Sequence, residues 1–175
     1  RIVVMEHSYH GDTIGAMSVG ARGVFNAAYA PLLFDVARVP FPAQGGEQAT
    51  FDALERACAD DAAAFIVEPL ILGAGGMLTY PPAVLAEMRA ICARAGVLFI
   101  ADEVMTGWGR TGTLLACDQA GVAPELRRPG RDVGQTGQRG EALAHLGQRQ
   151  QQQSGHHAAA GRPGRPPADP GAGGA

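Results

Sequence analysis

The stretch Val97-Leu98-Phe99-Ile100-Ala101-Asp102-Glu103-Val104-Met105-Thr106-Gly107-Trp108-Gly109-Arg110-Thr111-Gly112 decides the fold. Its first five residues are an unbroken apolar run, too short for a helix, which fits a strand buried on both faces of a parallel sheet. The run ends on two carboxylates and passes into glycines that turn the chain. Upstream, Pro81-Pro82 opens a stretch in which Val84, Leu85, Met88, Ile91 and Cys92 recur at helical spacing, with Gly96 placed to stop a helix. Before that, Ala64-Phe65-Ile66-Val67 is a second short apolar run, closing on Glu68-Pro69. Strand, crossover helix and strand predict a right-handed βαβ unit in a parallel sheet. Ligands of such sheets sit at the carboxyl ends of the strands, so Glu68 and Asp102 are expected on one rim.

Working outward, Arg1 to Glu6 reads as a strand feeding a loop at Gly11-Asp12 and Gly15, then a helix through Ala16-Met17-Ser18-Val19. The chain is therefore expected to begin mid-domain. Phe34 to Val39 predicts a further strand, bounded by a loop at Pro40, Pro42 and Gly45-Gly46. Thr50 as N-cap, with Asp52 in the first turn, predicts a helix running to Asp61. After Pro124 the pattern breaks into arginine, glutamine, glycine, alanine and proline. No aromatic residue occurs after Trp108, no isoleucine after Ile100 and no valine after Val133. The expected organisation is an α/β domain over residues 1–126 and a low-complexity, disordered tail over 127–175 that cannot offset the entropy of ordering it.

The length of 175 residues suits one domain, and 46% hydrophobic residues suffice for a core. A formal charge of −3 offers no electrostatic case for nucleic acid or an anionic membrane. No run of about twenty apolar residues is present to span a bilayer, which makes a soluble cytoplasmic protein the expectation. Three widely spaced cysteines, Cys58, Cys92 and Cys117, fit neither a disulfide framework nor a zinc site and read as buried thiols. His156-His157 lacks the further ligands a metal would need, so no metal site is expected. All fourteen residues counted as lysine or arginine are arginine. Lysine chemistry is excluded for the chain as it stands.

Several motifs have a plain and a chemical reading. Tyr9-His10-Gly11-Asp12-Thr13-Ile14-Gly15 is a strand-to-helix turn, or a place where backbone and an aromatic ring approach a ligand. Gly73-Ala74-Gly75-Gly76-Met77 is a tight loop, or a phosphate cradle lacking the usual Lys-Ser/Thr ending. Asp102 after a buried strand is a loop cap, a metal ligand or a general base. Arg110 is a surface charge or part of a site, while Glu103 and Asp12 are solvated or cap backbone amides.

Taken together, these segments resemble the class III, fold-type-I aminotransferases, which use pyridoxal 5′-phosphate (PLP). Within that family the similarity is greatest to the enzymes forming 7,8-diaminopelargonate in biotin synthesis. Tyr9-His10-Gly11 resembles the family segment whose aromatic residue packs on the pyridine ring and reaches substrate. Tyr29-Ala30-Pro31-Leu32-Leu33-Phe34 continues it in a form typical of the biotin enzymes. The resemblance implies that Tyr9, His10, Glu68, Asp102, Val104 and Arg110 line the cofactor site, with Tyr9 also contacting substrate. PLP is an electron sink while its ring nitrogen is protonated, and Asp102 matches the carboxylate that holds that proton by charge attraction. Val104 would lie against the ring face opposite Tyr9, and Arg110 would belong to the active-site wall. Leu72 stands where many relatives carry glutamine, removing a polar contact near the ring.

The implied activity is transfer of an amino group from S-adenosylmethionine to 7-keto-8-aminopelargonate by a homodimer whose active sites lie at its interface. Another class III enzyme acting on ω-amino acids or diamines is the nearest alternative, because the aspartate strand and glycine turn are shared. A noncatalytic protein using its arginine-rich tail is a further one. Aminotransfer also requires a lysine amine to hold PLP as a Schiff base. In relatives it comes after a segment resembling Cys117 to Pro124, and carrying the register forward puts Arg131 there. Arginine stays protonated and cannot form that bond. The chain is therefore expected to be an inactive fragment with no catalytic residue of this kind. The family's glycine-serine phosphate loop would lie upstream of Arg1. The resemblance runs from Ile2 to Leu126, and the residues after Leu126 have the composition of a GC-rich gene read in a shifted frame.

Overall fold

The computed structural model describes residues 1–130; Arg131, His156-His157 and the tail expected from 127 onward, except its first four residues, lie outside them. Five strands form one sheet: β1 (Ile2–Met5), β2 (Ala37–Val39), β3 (Ala64–Val67), β6 (Leu98–Asp102) and β7 (Leu126–Arg128), in the order β2-β1-β3-β6-β7 with β3 at the centre. Every pair is parallel. Helices α2 (Glu47–Ala59) and α3 (Pro82–Ala95) supply crossovers, and the short strands β4 (Ile71–Leu72) and β5 (Leu78–Thr79) form a separate antiparallel hairpin between β3 and α3. Helix α1 (Ile14–Ser18) comes after β1. The expected α/β class and parallel sheet are observed.

Alternation along the strands sends Val3, Met5, Phe65, Val67, Phe99 and Ala101 into one core with Leu54, Leu85, Met88, Ile91 and Cys92 of the two long helices. The rings of Phe65 and Phe99, on adjacent strands in direct register, meet edge to face at 5.8 Å. On the opposite sheet face Ile66 and Ile100 are only half-buried. Helix α3 begins at the second of two prolines. It ends at Gly96, whose φ of 69° is open to glycine, so the amides of Gly96 and Val97 close onto Ala93 and Cys92 as the sequence predicts. All three cysteines are free and buried, also as expected.

Four elements have boundaries that differ from expectation. Helix α2 starts at Glu47 behind Gly46 and ends at Ala59. Glu47 places a carboxylate in its first turn. Thr50 is therefore no cap but a fully buried residue whose hydroxyl donates to the Pro40 carbonyl. Helix α1 begins two residues early, because Thr13 caps it by accepting the Ala16 amide. Strand β2 starts at Ala37, since Ala27–Leu32 forms a 3₁₀ turn that leaves Phe34 outside the sheet. Finally, strand β7 carries the sheet through Arg128, two residues past the boundary expected from composition.

Candidate functional site

In a parallel sheet all carboxyl ends point the same way. The residues leaving β1, β3, β6 and β7 therefore collect at one edge: Tyr9 and His10, Glu68, Asp102 and Arg128. The register is direct, with Val67 beside Ala101 and Asp102 beside Arg128. A cavity of about 450 Å³ opens at this edge, lined by Tyr9, His10, Gly11, Glu68, Gly73, Ala74, Asp102, Val104, Met105, Arg110 and Arg128. All six residues singled out from the sequence, Tyr9, His10, Glu68, Asp102, Val104 and Arg110, face this one space. A second cavity of about 540 Å³ adjoins it, sharing Tyr9, Gly11 and Ala74 and adding Asp12, Arg22, Phe25 and Asn26.

Asp102 is the buried floor. Its Oδ2 lies 2.8 Å from His10 Nδ1 and 3.2 Å from Arg128 Nη1, and its Oδ1 accepts the Val104 amide at 3.2 Å. A carboxylate only accepts, so Nδ1 carries the histidine proton toward it. The other ring nitrogen, His10 Nε2, is buried with no partner among the described residues. Arg128 Nη1 also donates to the His10 carbonyl at 2.6 Å. Arg110, which lines the cavity, donates to the carbonyls of Gly107 and Val104 and so pins its own turn to the loop leaving β6.

Glu68 ties two loops together: Oε2 accepts the Tyr9 amide at 3.1 Å and Oε1 the Gly73 amide at 3.2 Å. Burial pushes its carboxyl above the ordinary range, and these two donors only partly oppose the shift. Tyr9 presents its ring to the cavity while its hydroxyl donates to Asp12 at 2.8 Å, which raises the phenol pKa. Asp12 is thus the anchor of a site ring.

The glycine cluster takes its plain reading, a hairpin turn between β4 and β5. A Cβ on Gly75 would overlap the His7 carbonyl oxygen, so the glycine is required for the hairpin to pack on the loop after β1. Leu72 is fully buried in the main core and does not line the cavity. Glu103, of the two expected roles, has the capping one: fully buried, it accepts the amides of Ala116 and Cys117 at the start of the 3₁₀ turn Ala116–Ala120. Arg128 is the site residue that sequence reasoning missed. Only the pairing of β7 with β6 places it, and no local pattern reports that register.

The wall built by Tyr9, Asp102 and Val104 suits a flat, partly apolar ring bearing a protonated nitrogen. The covalent anchor that PLP takes is another matter, because the sequence holds no lysine. A guanidinium also already stands on Asp102 Oδ2. The residues present thus fit the ring wall and not the attachment.

The family model for class-III aminotransferases matches residues 1–145. Adenosylmethionine-8-amino-7-oxononanoate aminotransferase from Synechococcus elongatus is 48% identical, across 72% of this chain and 32% of that protein. Ornithine aminotransferase from Bacillus cereus is 36% identical, across 77% and 32%. Among solved structures, the adenosylmethionine-8-amino-7-oxononanoate aminotransferase of Methanocaldococcus jannaschii superposes with a TM-score of 0.62 at 34% identity, covering 67% of this chain and 27% of that one. An amine transaminase from an uncultivated Pseudomonas species, crystallised with PLP bound, gives 0.67 at 33%, covering 73% and 32%. The chain spans about a third of the length of the curated relatives it matches. A family match over most of its length, on a sheet whose carboxyl edge carries the expected residues, establishes that the chain belongs to the class-III, PLP-dependent aminotransferases.

Proposed function

We propose that this chain is the central segment of the cofactor domain of an aminotransferase of biotin synthesis. The whole enzyme would transfer an amino group from S-adenosylmethionine to 7-keto-8-aminopelargonate, as a homodimer. The convergence of Tyr9, His10, Glu68, Asp102, Val104 and Arg110 on one cavity at the carboxyl edge of the sheet carries the cofactor-domain part of the reading, and the 48% identity to the Synechococcus elongatus relative, against 36% to the ornithine enzyme, supports the biotin part. When bound, PLP would supply the electron sink for the reaction. The chain's own residues do the positioning. Asp102, oriented by His10 and the Val104 amide, would hold a proton on the ring nitrogen. Tyr9 and Val104 would line the ring faces. Glu68 fixes the Tyr9 loop, and Arg110 pins the turn after β6. The three buried free thiols fit a reducing, cytoplasmic setting.

This chain would not itself turn over, since no lysine is present for the covalent step. The 175-residue chain with PLP, S-adenosylmethionine and 7-keto-8-aminopelargonate should form no diaminopelargonate. A chimera tests the specificity: residues 2–126 replace the matching segment of the Synechococcus elongatus relative, which supplies the remainder. It should form diaminopelargonate and leave ornithine untouched. A well-folded chimera that accepts ornithine instead would favour the second reading, an ω-amino-acid or diamine enzyme. The 36% identity to an ornithine aminotransferase keeps that reading in view.

A further inference from the structure

We infer that Arg128 is an internal competitor for Asp102, standing where a protonated ring nitrogen would otherwise pair, and that it sets the cavity of this chain against binding such a ring. The inference rests on Asp102 being the partner of the ring nitrogen under the proposed function. Arg128 lies directly beside Asp102 in the β6–β7 register, so the two side chains leave the sheet on the same face. Its Nη1 divides between Asp102 Oδ2 at 3.2 Å and the His10 carbonyl at 2.6 Å. With His10 Nδ1 on the same Oδ2 and the Val104 amide on Oδ1, the carboxylate accepts three donors. Oδ2 has both of its lone-pair positions taken, and one remains on Oδ1.

Charge sharpens the competition. Asp102 is buried, and a buried carboxylate gains most from one cation at contact. A guanidinium, which does not deprotonate, satisfies that need at every accessible pH, so an arriving pyridinium gains only the difference between two cations. Arg128 is half-exposed, with its side chain 53% accessible. It can therefore be displaced, and the effect is a bias in affinity and not a steric block. The bias acts on the ring nitrogen alone. A ligand with the same phosphate and an uncharged ring would not meet it.

The test uses the full 175-residue chain and pyridoxine 5′-phosphate, which keeps the ring nitrogen and phosphate but has no aldehyde for the α-amine of Arg1 to capture. Benzyl phosphate serves as the ligand without a ring nitrogen. Binding is monitored by equilibrium dialysis and by fluorescence of Trp108, the single tryptophan. Arg128→Leu and Arg128→Gln should each bind pyridoxine phosphate about tenfold more tightly than the unaltered chain, a competition of ~1.4 kcal/mol. Neither should gain for benzyl phosphate, and adding Asp102→Asn should erase the gain. The glutamine variant keeps a donor for the His10 carbonyl, and it carries the test if a urea midpoint shows the leucine variant destabilised. No gain in either variant, with Asp102→Asn weakening pyridoxine phosphate binding to the unaltered chain, would overturn the inference and leave the ring reading standing. If every variant binds the two ligands alike, the ring reading falls and the inference with it.

Discussion

Replacing Glu103 tests whether a carboxylate one residue from the site floor is structural. Glu103 is fully buried, and its two oxygens take the amides of Ala116 and Cys117, which are buried as well. Glutamine keeps one acceptor but turns an NH₂ group toward the second amide, leaving one buried donor without a partner. That costs about 1–3 kcal/mol. Alanine removes both acceptors and leaves a void, for roughly 2–5 kcal/mol after allowing for relief of the buried charge. At about 2–4 °C per kcal/mol for a chain of this size, Glu103→Gln should lower Tm by roughly 2–12 °C, and Glu103→Ala should lower it further. Urea titration monitored by far-ultraviolet circular dichroism should show both midpoints falling in that order with the slope unchanged. A second readout isolates the charge. Burial, and after it the Glu103 carboxylate, pushes the Cys117 thiol up to about 12. Glutamine should lower that value by removing the carboxylate's share, while burial, the larger cause, stays in place. A Glu103→Gln protein within about 0.5 kcal/mol of the parent, with Cys117 unmoved, would refute the capping assignment.

Gly75→Ala should destabilise by at least about 1–3 kcal/mol, because its methyl would overlap the His7 carbonyl oxygen and backbone on both sides must move; an unchanged urea midpoint would mean the hairpin does not pack there. Burial raises the thiol pKa values of Cys58, Cys92 and Cys117, and only thiolate reacts. At about pH 8 the native Cys117 should therefore meet a disulfide reagent with on the order of a thousandfold less thiolate than in urea. A native thiol titrating at the unfolded rate would contradict its burial. Folding raises the Glu68 pKa, so the folded chain binds that proton more tightly than the unfolded one. Its contribution is complete below the unfolded carboxyl value of about 4.3 and is lost as pH rises through the folded value. The stability of the parent relative to Glu68→Gln should therefore fall with rising pH over that window, and a rise would reverse the assigned sign.

The legible part of this molecule was its local part. Runs such as Ala64–Val67 announce buried strands because every residue is apolar, and Glu68 and Asp102 stand out as the carboxylates that end them. The Pro82 start and Gly96 stop of α3 are written in residues whose backbone preferences admit few alternatives. The features that escaped depended on pairings distant in sequence. Thr50 has the chemistry of a cap, but the chain turns earlier, at Gly46, and buries it. Asp102 and Glu103 are neighbours of equal charge, and the partners that give Glu103 its work, the 3₁₀ turn thirteen residues later and Arg127 on β7, are distant in sequence. Arg128 sits in a stretch whose composition resembles the low-complexity tail. Its role rests on a strand register spanning 26 residues to Asp102.

The most direct test of the central claim, that this cavity is the ring wall of a PLP site, puts an amine at position 131, where the resemblance to the family implies the Schiff-base lysine. In the parent chain the α-amine of Arg1 is the sole primary amine, since no lysine is present. The full chain carrying Arg131→Lys and Arg128→Leu is incubated with PLP, reduced with borohydride, digested and mapped by mass. The covalent adduct should lie at position 131 in excess over Arg1, and Asp102→Asn should reduce it. An adduct confined to Arg1, in a protein whose urea midpoint matches the parent, would contradict the claim.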